Sequence, residues 1–320
     1  MGLAATTPIP TLSGWRRAID LRPGDLVFDQ AGCAQPVRSV QQYIPSACYQ
    51  VSFDDGLGLE GDSHMALPLQ DKTYRDNLSR WVKNRGKKYS KPLRSKIKLL
   101  SMDELVKKEP ETWSIQVCEP LQYTWKDLPV PPYVMGIWLG SLRPSGRNMV
   151  GKMDLERVRK RCRGHGFFMK VKQFNVGRFK FEFRPSIKDT FLFAGADIPT
   201  TLPFSYVESS PEQREELLEG LIDACFYVVW DNHEKKYAIY EPHYPTVRRY
   251  QALVESLGCK TMLYTPEIGP NYRLTFRLED KNGRLKRRYI QKIKKIDPKQ
   301  CVHVIVDKPF LASEGFISVC

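Results

Sequence analysis

The 320-residue chain has no run of 18 apolar residues, so no segment reads as a membrane-spanning helix. Its opening, Met1 to Pro10, lacks the basic start and apolar block of a secretory signal. A soluble intracellular protein is expected, with cytoplasm and nucleus left unresolved. None of the cysteines, Cys33, Cys48, Cys118, Cys162, Cys225, Cys259, Cys301 and Cys320, falls in a CxxC pair. Neither a zinc site nor a disulfide framework is expected from such dispersed thiols in so long a chain; reduced and mostly buried cysteines are. Acids are scarce beside bases, 36 against 50 Lys plus Arg, for a formal net charge of +14.

The basic excess is local. Residues 72–98 hold 11 bases and one acid, Asp76; residues 143–188 hold 14 bases and three acids; residues 284–299 hold eight bases and Asp297. Charge concentrated in this way implies a polyanionic partner rather than a merely solvated face. Hydrophobic content of 42% and 11% aromatics supply enough apolar surface for two packed cores.

Short strands punctuated by turns fill residues 6–53, and Asp54-Asp55-Gly56 predicts a hairpin turn. Residues 72–98 read as a loop or arm, and a linker ends at Leu128-Pro-Val-Pro-Pro132. A helix is expected from Tyr133 to Gly140, its two glycines four apart on one face where another backbone can approach. A second helix is expected from Asp154 to Cys162. From Phe167 to Arg184 the period turns to two, with Phe179, Phe181 and Phe183 on a core side and Arg178, Lys180, Glu182 and Arg184 outward. Ser210-Pro-Glu-Gln213 opens another helix, and Thr246 to Ser256 forms one more, closed by Gly258. The stretch 133–280 thus reads as a partial repeat in which short helix, helix and basic strands recur in the same order. Strands return at 289–293, 302–306 and 315–319.

Three sets of residues carry a family resemblance. Thr6-Thr-Pro-Ile-Pro-Thr-Leu-Ser-Gly-Trp15 with Ile19-Asp-Leu-Arg-Pro-Gly-Asp-Leu-Val-Phe-Asp29 resembles the opening block of inteins. Tyr289 to Ile293, Val304-Ile-Val-Asp-Lys-Pro309 and Gly315-Phe-Ile317 resemble the closing blocks. Tyr133-Val-Met-Gly-Ile-Trp-Leu-Gly140 and Leu218-Glu-Gly-Leu-Ile-Asp-Ala224 resemble the paired helices of LAGLIDADG homing endonucleases; Ile198-Pro199, Gln213-Arg214 and Ser256-Leu257-Gly258 also fit that framework. The resemblance implies an α+β chain. An all-β Hint-type splicing domain, split into residues 1–127 and 284–320, encloses a pseudo-symmetric LAGLIDADG-type DNA-binding domain at 128–283.

The same resemblance implies chemistry that these residues do not supply. Splicing needs a Cys or Ser nucleophile at the first intein residue, where Gly2 stands, and a His in the second block, matched by His64, with a Thr three positions earlier, where Gly61 stands. The closing His-Asn pair is missing; Cys320 stands either at the His place or as a downstream Cys after deletion of the pair. In the nuclease the last motif position of each helix carries a metal-binding acid. Those positions are Ser141 and Cys225, and neither holds Mg²⁺ well. No cofactor is therefore expected, and Mg²⁺ enters only if the nuclease reading is right.

Arg143, Arg147, Lys170, Lys172, Arg178, Lys180 and Arg184 match the family's duplex-facing saddle, where they would neutralise phosphates. Gln173 and Asn175 are expected outward as base readers. The sequence reading is a monomeric, degenerate intein with a LAGLIDADG-like unit that binds double-stranded DNA without splicing or cutting. Its rivals are an active homing endonuclease with displaced metal ligands, and a structural protein that meets RNA or a ribonucleoprotein.

Overall fold

The computed structural model describes residues 2–72, 97–141, 155–175, 178–225, 227–231, 234–266, 269–278 and 287–320; at 141, 172–175, 178–180, 225, 227, 230, 231 and 234 it describes the backbone alone. The basic arm expected at 72–98 lies, from 73 to 96, outside the described residues. The chain folds as two compact units, one of residues 1–122, 258–260 and 279–320, the other of residues 123–257 and 261–278.

In chain order the first unit begins with β1 (Leu3–Ala4), β2 (Pro8–Thr11), β3 (Gly14–Arg17), β4 (Leu26–Phe28), β5 (Ala34–Pro36), β6 (Ser39–Tyr43), β7 (Cys48–Phe53), β8 (Gly58–Asp62), β9 (Ala66–Asp71), β10 (Lys98–Ser101), the short helix α1 (Met102–Leu105) and β11 (Trp113–Gln116). The second unit follows with α2 (Pro132–Ser141), α3 (Leu155–Gly164), β12 (Phe168–Asn175), β13 (Arg178–Arg184), α4 (Ile187–Phe193), α5 (Phe204–Val207), α6 (Pro211–Cys225), β14 (Tyr227–Asp231), β15 (Glu234–Glu241), α7 (Tyr244–Ser256), β16 (Thr261–Tyr264) and β17 (Tyr272–Phe276). The first unit then resumes with β18 (Arg287–Ile296), β19 (Cys301–Ile305), β20 (Phe310–Ala312) and β21 (Ile317–Val319).

The first unit is almost all β. Its nine-stranded sheet runs β10-β9-β11-β18-β7-β8-β1-β19-β6, beside a four-stranded sheet β3-β2-β4-β5 and the β20–β21 hairpin. Strands from the two ends of the chain alternate in the large sheet. β18 pairs antiparallel with β7 and β11, and β19 with β1 and β6. The reason lies in the apolar phases: Val51, Phe53, Leu59, Leu67, Leu69, Ile290, Val302 and Val304 bury their side chains in one core, each worth about 1.5–3 kcal/mol once removed from water. At the β7–β8 turn Gly56 takes the left-handed region, φ 82°, as the Asp-Asp-Gly pattern predicts. Asp55 in that turn meets Arg288 of β18 at 2.5 Å with both side chains fully buried.

In the second unit α2 is buried on every side, as its uniformly apolar sequence requires. It crosses α6 through Gly136 and Gly220. A Cβ on Gly136 would collide with the Leu217 carbonyl and lie 2.7 Å from the Leu221 amide; one on Gly220 would collide with the Tyr133 carbonyl and lie 3.1 Å from the Ile137 amide. Each glycine therefore meets the backbone three residues before and one after the other, so the crossing repeats itself by a local two-fold relation. Ser210 starts α6 with a capping box: its hydroxyl accepts the Gln213 amide N–H at 3.4 Å while its own N–H donates to Gln213 Oε1 at 3.3 Å. Arg214 is fully buried, donating to the Ser209 carbonyl at 2.9 Å and to the Ser256 carbonyl at 2.7 Å. It thereby satisfies a carbonyl at the end of α7. The expected repeat order differs in its second half: α6 is followed directly by β14 and β15, with α7 only then. The matching stretch after α2, 142–154, lies outside the described residues.

Candidate functional site

The site expected for splicing is assembled by the order of the large sheet. β1 lies between β8 and β19, pairing Leu3 with Gly61 and Val302. That arrangement sets Gly2 against the ends of β6, β8 and β19. Its N–H donates to Asp62 Oδ1 at 3.0 Å, and the His64 amide donates to the same oxygen at 3.1 Å. Asp62 is almost fully buried, and its other oxygen accepts the Tyr43 hydroxyl at 2.5 Å. Burial, then the hydrogen bond to Asp62, hold the Tyr43 phenol far above its ordinary range. Cys48 and Cys301 lie beside it with sulfurs 3.8 Å apart. Burial first, and Cys48 second, push the Cys301 thiol up to about 12.

Gly2 and His64 thus meet through the backbone at Asp62, which sequence reasoning passed over. The signal available was the Asp-Ser-His turn, in which an Asp carboxylate binds the N–H two residues on. The His64 side chain is exposed, and among the described residues it makes no hydrogen bond or ion pair. A Cβ at position 2 would collide with the Tyr43 hydroxyl, the far end of a side chain that must swing aside to admit it, and would lie 3.1 Å from Cys301 Cβ. Position 61 is closed by backbone: a Cβ there would collide with the Gly2 carbonyl and lie 2.5 Å from Met65 Sδ. A Thr does not fit this backbone. Cys320 lies further along the same stretch, its amide donating to the Ala66 carbonyl at 2.9 Å, and burial pushes its thiol up to about 11.

The expected cleavage positions end the two crossed helices. Ser141 is the last residue of α2 and Cys225 the last of α6, each five residues beyond its crossing glycine, so the local two-fold relation makes them equivalent. Asp223, the retained acid nearby, is committed to other partners: Oδ2 accepts the Tyr133 hydroxyl at 2.7 Å, and Oδ1 pairs with Arg157 of α3 at 2.5 Å. One turn earlier Arg161 pairs with Glu219 at 2.6 Å and lies 3.8 Å over the Tyr133 ring. Two arginines four apart on α3 thus meet two acids four apart on α6. Among the described residues no three His, Cys, Asp or Glu side chains converge as a metal site.

The expected DNA-facing residues lie on the β12–β13 hairpin. Met169 pairs with Phe183 and Val171 with Phe181; Met169, Phe181 and Phe183 are buried. Lys170 and Arg184 are exposed on the other face and make no ion pair among the described residues. Lys172 lies opposite Lys180, and Asn175 opposite Arg178; the side chains of these four lie outside the described set. Gln173 lies opposite Phe179, and the register shifts between Gln173 and Asn175; its side chain, too, lies outside the described set. Arg143 and Arg147 lie outside the described residues. No helix among the described residues is long and apolar enough to cross a membrane.

No protein-family model matches the chain. The chain is similar to the replicative DNA helicase DnaB of Mycobacterium intracellulare, 24% identical over an alignment of 237 residues that covers 69% of this chain and 37% of that protein; it spans little more than a third of that curated relative. It is also similar to solved inteins. The MchDnaB-1 intein is 31% identical over 21% of this chain and 52% of that chain, with a TM-score of 0.20. The gp41-1 intein is 21% identical over 22% of this chain and 53% of that chain, with a TM-score of 0.21. The Msm DnaB1 intein splicing domain bound with zinc is 32% identical over 21% of this chain and 54% of that chain, with a TM-score of 0.20.

Proposed function

We infer that the chain is a degenerate intein-type protein whose LAGLIDADG-like unit binds double-stranded DNA without cutting it and whose Hint-type unit no longer splices. The observation that carries the binding reading is the β12–β13 hairpin. One face is seated on Met169, Phe181 and Phe183, and the other exposes Lys170 and Arg184, neither in an ion pair among the described residues, with Glu182 opposite Lys170. A hairpin face on which bases outnumber acids suits phosphates, whose counterions are released on binding. Loss of cutting is supported by the neutral residues at 141 and 225 and by the commitment of Asp223 to Tyr133 and Arg157. Loss of splicing is supported by the glycine at position 2, which carries no nucleophile.

The test is fluorescence anisotropy of a labelled duplex at several salt concentrations. Replacing Lys170, Lys172, Arg178 and Lys180 together by Ala is expected to weaken binding strongly. It should also flatten the salt slope by about one unit for each phosphate no longer neutralised. An unchanged slope, or preferential binding of structured RNA that the four substitutions leave intact, rejects the hairpin as a duplex surface and favours the ribonucleoprotein reading.

A further inference from the structure

We propose that Cys48 and Cys301 form a reversible oxidative staple, a disulfide that a hydroperoxide closes and a thiol reductant opens, tying the opening strands of the first unit to its closing strands. Each cysteine is the first residue of its strand, Cys48 of β7 and Cys301 of β19. The sheet brings them together: Ile296, the last residue of β18, pairs with Cys48, and residues 297–300 turn the chain back to Cys301. The two sulfurs lie 3.8 Å apart, in van der Waals contact, although 253 positions separate them in sequence. Neither side chain is exposed. Their strand partners hold them in place, Asp62 opposite Cys48, and Tyr43 and Ala4 opposite Cys301. Filling this corner of the core needs only two small apolar groups. Two thiols in contact add a covalent bond that can be made and broken.

The reaction balances as a two-electron oxidation. The S–H bonds of both cysteines break and one S–S bond forms. The two protons and two electrons pass to hydrogen peroxide, whose O–O bond breaks to leave two water molecules. A dithiol reductant reverses the step by thiol–disulfide exchange. Burial slows the forward step, because the peroxide must meet a thiolate and burial holds Cys301 as a thiol. The bridge is therefore expected after exposed Cys33 has reacted. In the reduced chain the two ends of the first unit are held by strand pairing and packing. In the oxidised chain residues 48–301 become a closed ring that contains the whole second unit, residues 123–257 and 261–278. Closing so long a loop removes freedom from the unfolded chain and so stabilises the folded one. The staple depends on neither duplex binding nor splicing.

The full chain is incubated with hydrogen peroxide or with dithiothreitol, desalted, and followed by peptide mass spectrometry and thermal unfolding. The variants are Cys33→Ser, Cys48→Ser and Cys301→Ser. Cys48→Ala and Cys301→Ala replace either Ser variant that loses the parent circular dichroism spectrum; if none folds, the reduced and oxidised parent still decide. In the parent and in Cys33→Ser, oxidation is expected to give a cross-linked peptide joining Cys48 to Cys301, lighter than the sum of its parts by the two hydrogens lost. The unfolding midpoint of the first unit should rise by at least about 4 °C, and dithiothreitol should reverse the rise. Variants at 48 or 301 should show neither the peptide nor the rise. The proposal is overturned if both cysteines of the oxidised chain alkylate after unfolding as free thiols, if they end as sulfinic acids, or if they pair with other cysteines. A bridge that leaves the midpoint unchanged or lower also overturns it, since the native sheet would then resist the bond.

Discussion

Gly136→Ala tests whether two backbones in contact hold the second unit together. In an isolated helix the change favours folding by about 1 kcal/mol, because alanine gives up less chain entropy than glycine. At this crossing the added methyl lies 2.7 Å from the Leu221 amide, against the 3.4 Å where ordinary contact begins, and collides with the Leu217 carbonyl. The obstacles are backbone atoms of α6, which cannot swing aside as a side chain does. The helices must part by roughly 0.7 Å or more, enough to forfeit a quarter to a half of the dispersion attraction along the seam. Overpacking of this kind costs about 3 kcal/mol, so the net loss is about 2 kcal/mol after the propensity gain. In a unit of this size the melting midpoint should fall by about 4–8 °C. Gly164→Ala is the control: its methyl would meet nothing within 4 Å at the end of α3. It should leave the midpoint unchanged or raise it. Thermal unfolding of both variants decides the matter; a Gly136→Ala midpoint at or above the parent's would show that the two helices do not meet through their glycines.

Asp55→Ala or Arg288→Ala strands one member of a fully buried pair and should cost about 3–5 kcal/mol in urea unfolding. Replacing both, as Asp55→Ala with Arg288→Met, should recover much of that loss. Placed between two flanking proteins, the chain should remain an intact precursor on a denaturing gel, because Gly2 carries no nucleophile; ligated product refutes the reading. Burial raises the Cys162 and Cys320 thiols to about 11 and Cys301 to about 12 from an ordinary 9.0. The stability gained from keeping them protonated is full below about pH 9 and falls as pH rises toward 11–12. Native alkylation near pH 8 should accordingly modify exposed Cys33 well before Cys162 or Cys301. Equal rates in a mass-spectrometric time course would contradict that order.

Local signals made much of the fold legible. Pro131-Pro132 before an apolar run gave α2 within one residue at each end, Ser210-Pro-Glu-Gln213 gave the start of α6, and Asp-Asp-Gly gave the turn at Gly56. The return of the closing strands to the opening ones was legible only through the intein-like blocks, since each strand alone carries no address for its partner. Two features were hidden because they are decided by tertiary placement. Arg214 stands out only as part of the endonuclease-like framework, and nothing local marks it as the buried donor to the end of α7. Asp62 shows its Asp-Ser-His turn, but only the sheet order brings Gly2 and Tyr43 to its carboxylate.

The central claim is that the protein holds duplex DNA and leaves it whole, and one gel tests both halves. A closed-circular plasmid library with randomised sites is titrated with the chain in the presence of Mg²⁺ or Mn²⁺. Half of each sample is run native and half after removal of protein. The account predicts retarded plasmid in the native lanes and unbroken closed circles after deproteinisation at every metal concentration. Linear product that requires the metal and disappears in Asp223→Ala would contradict it and restore a nuclease with displaced ligands.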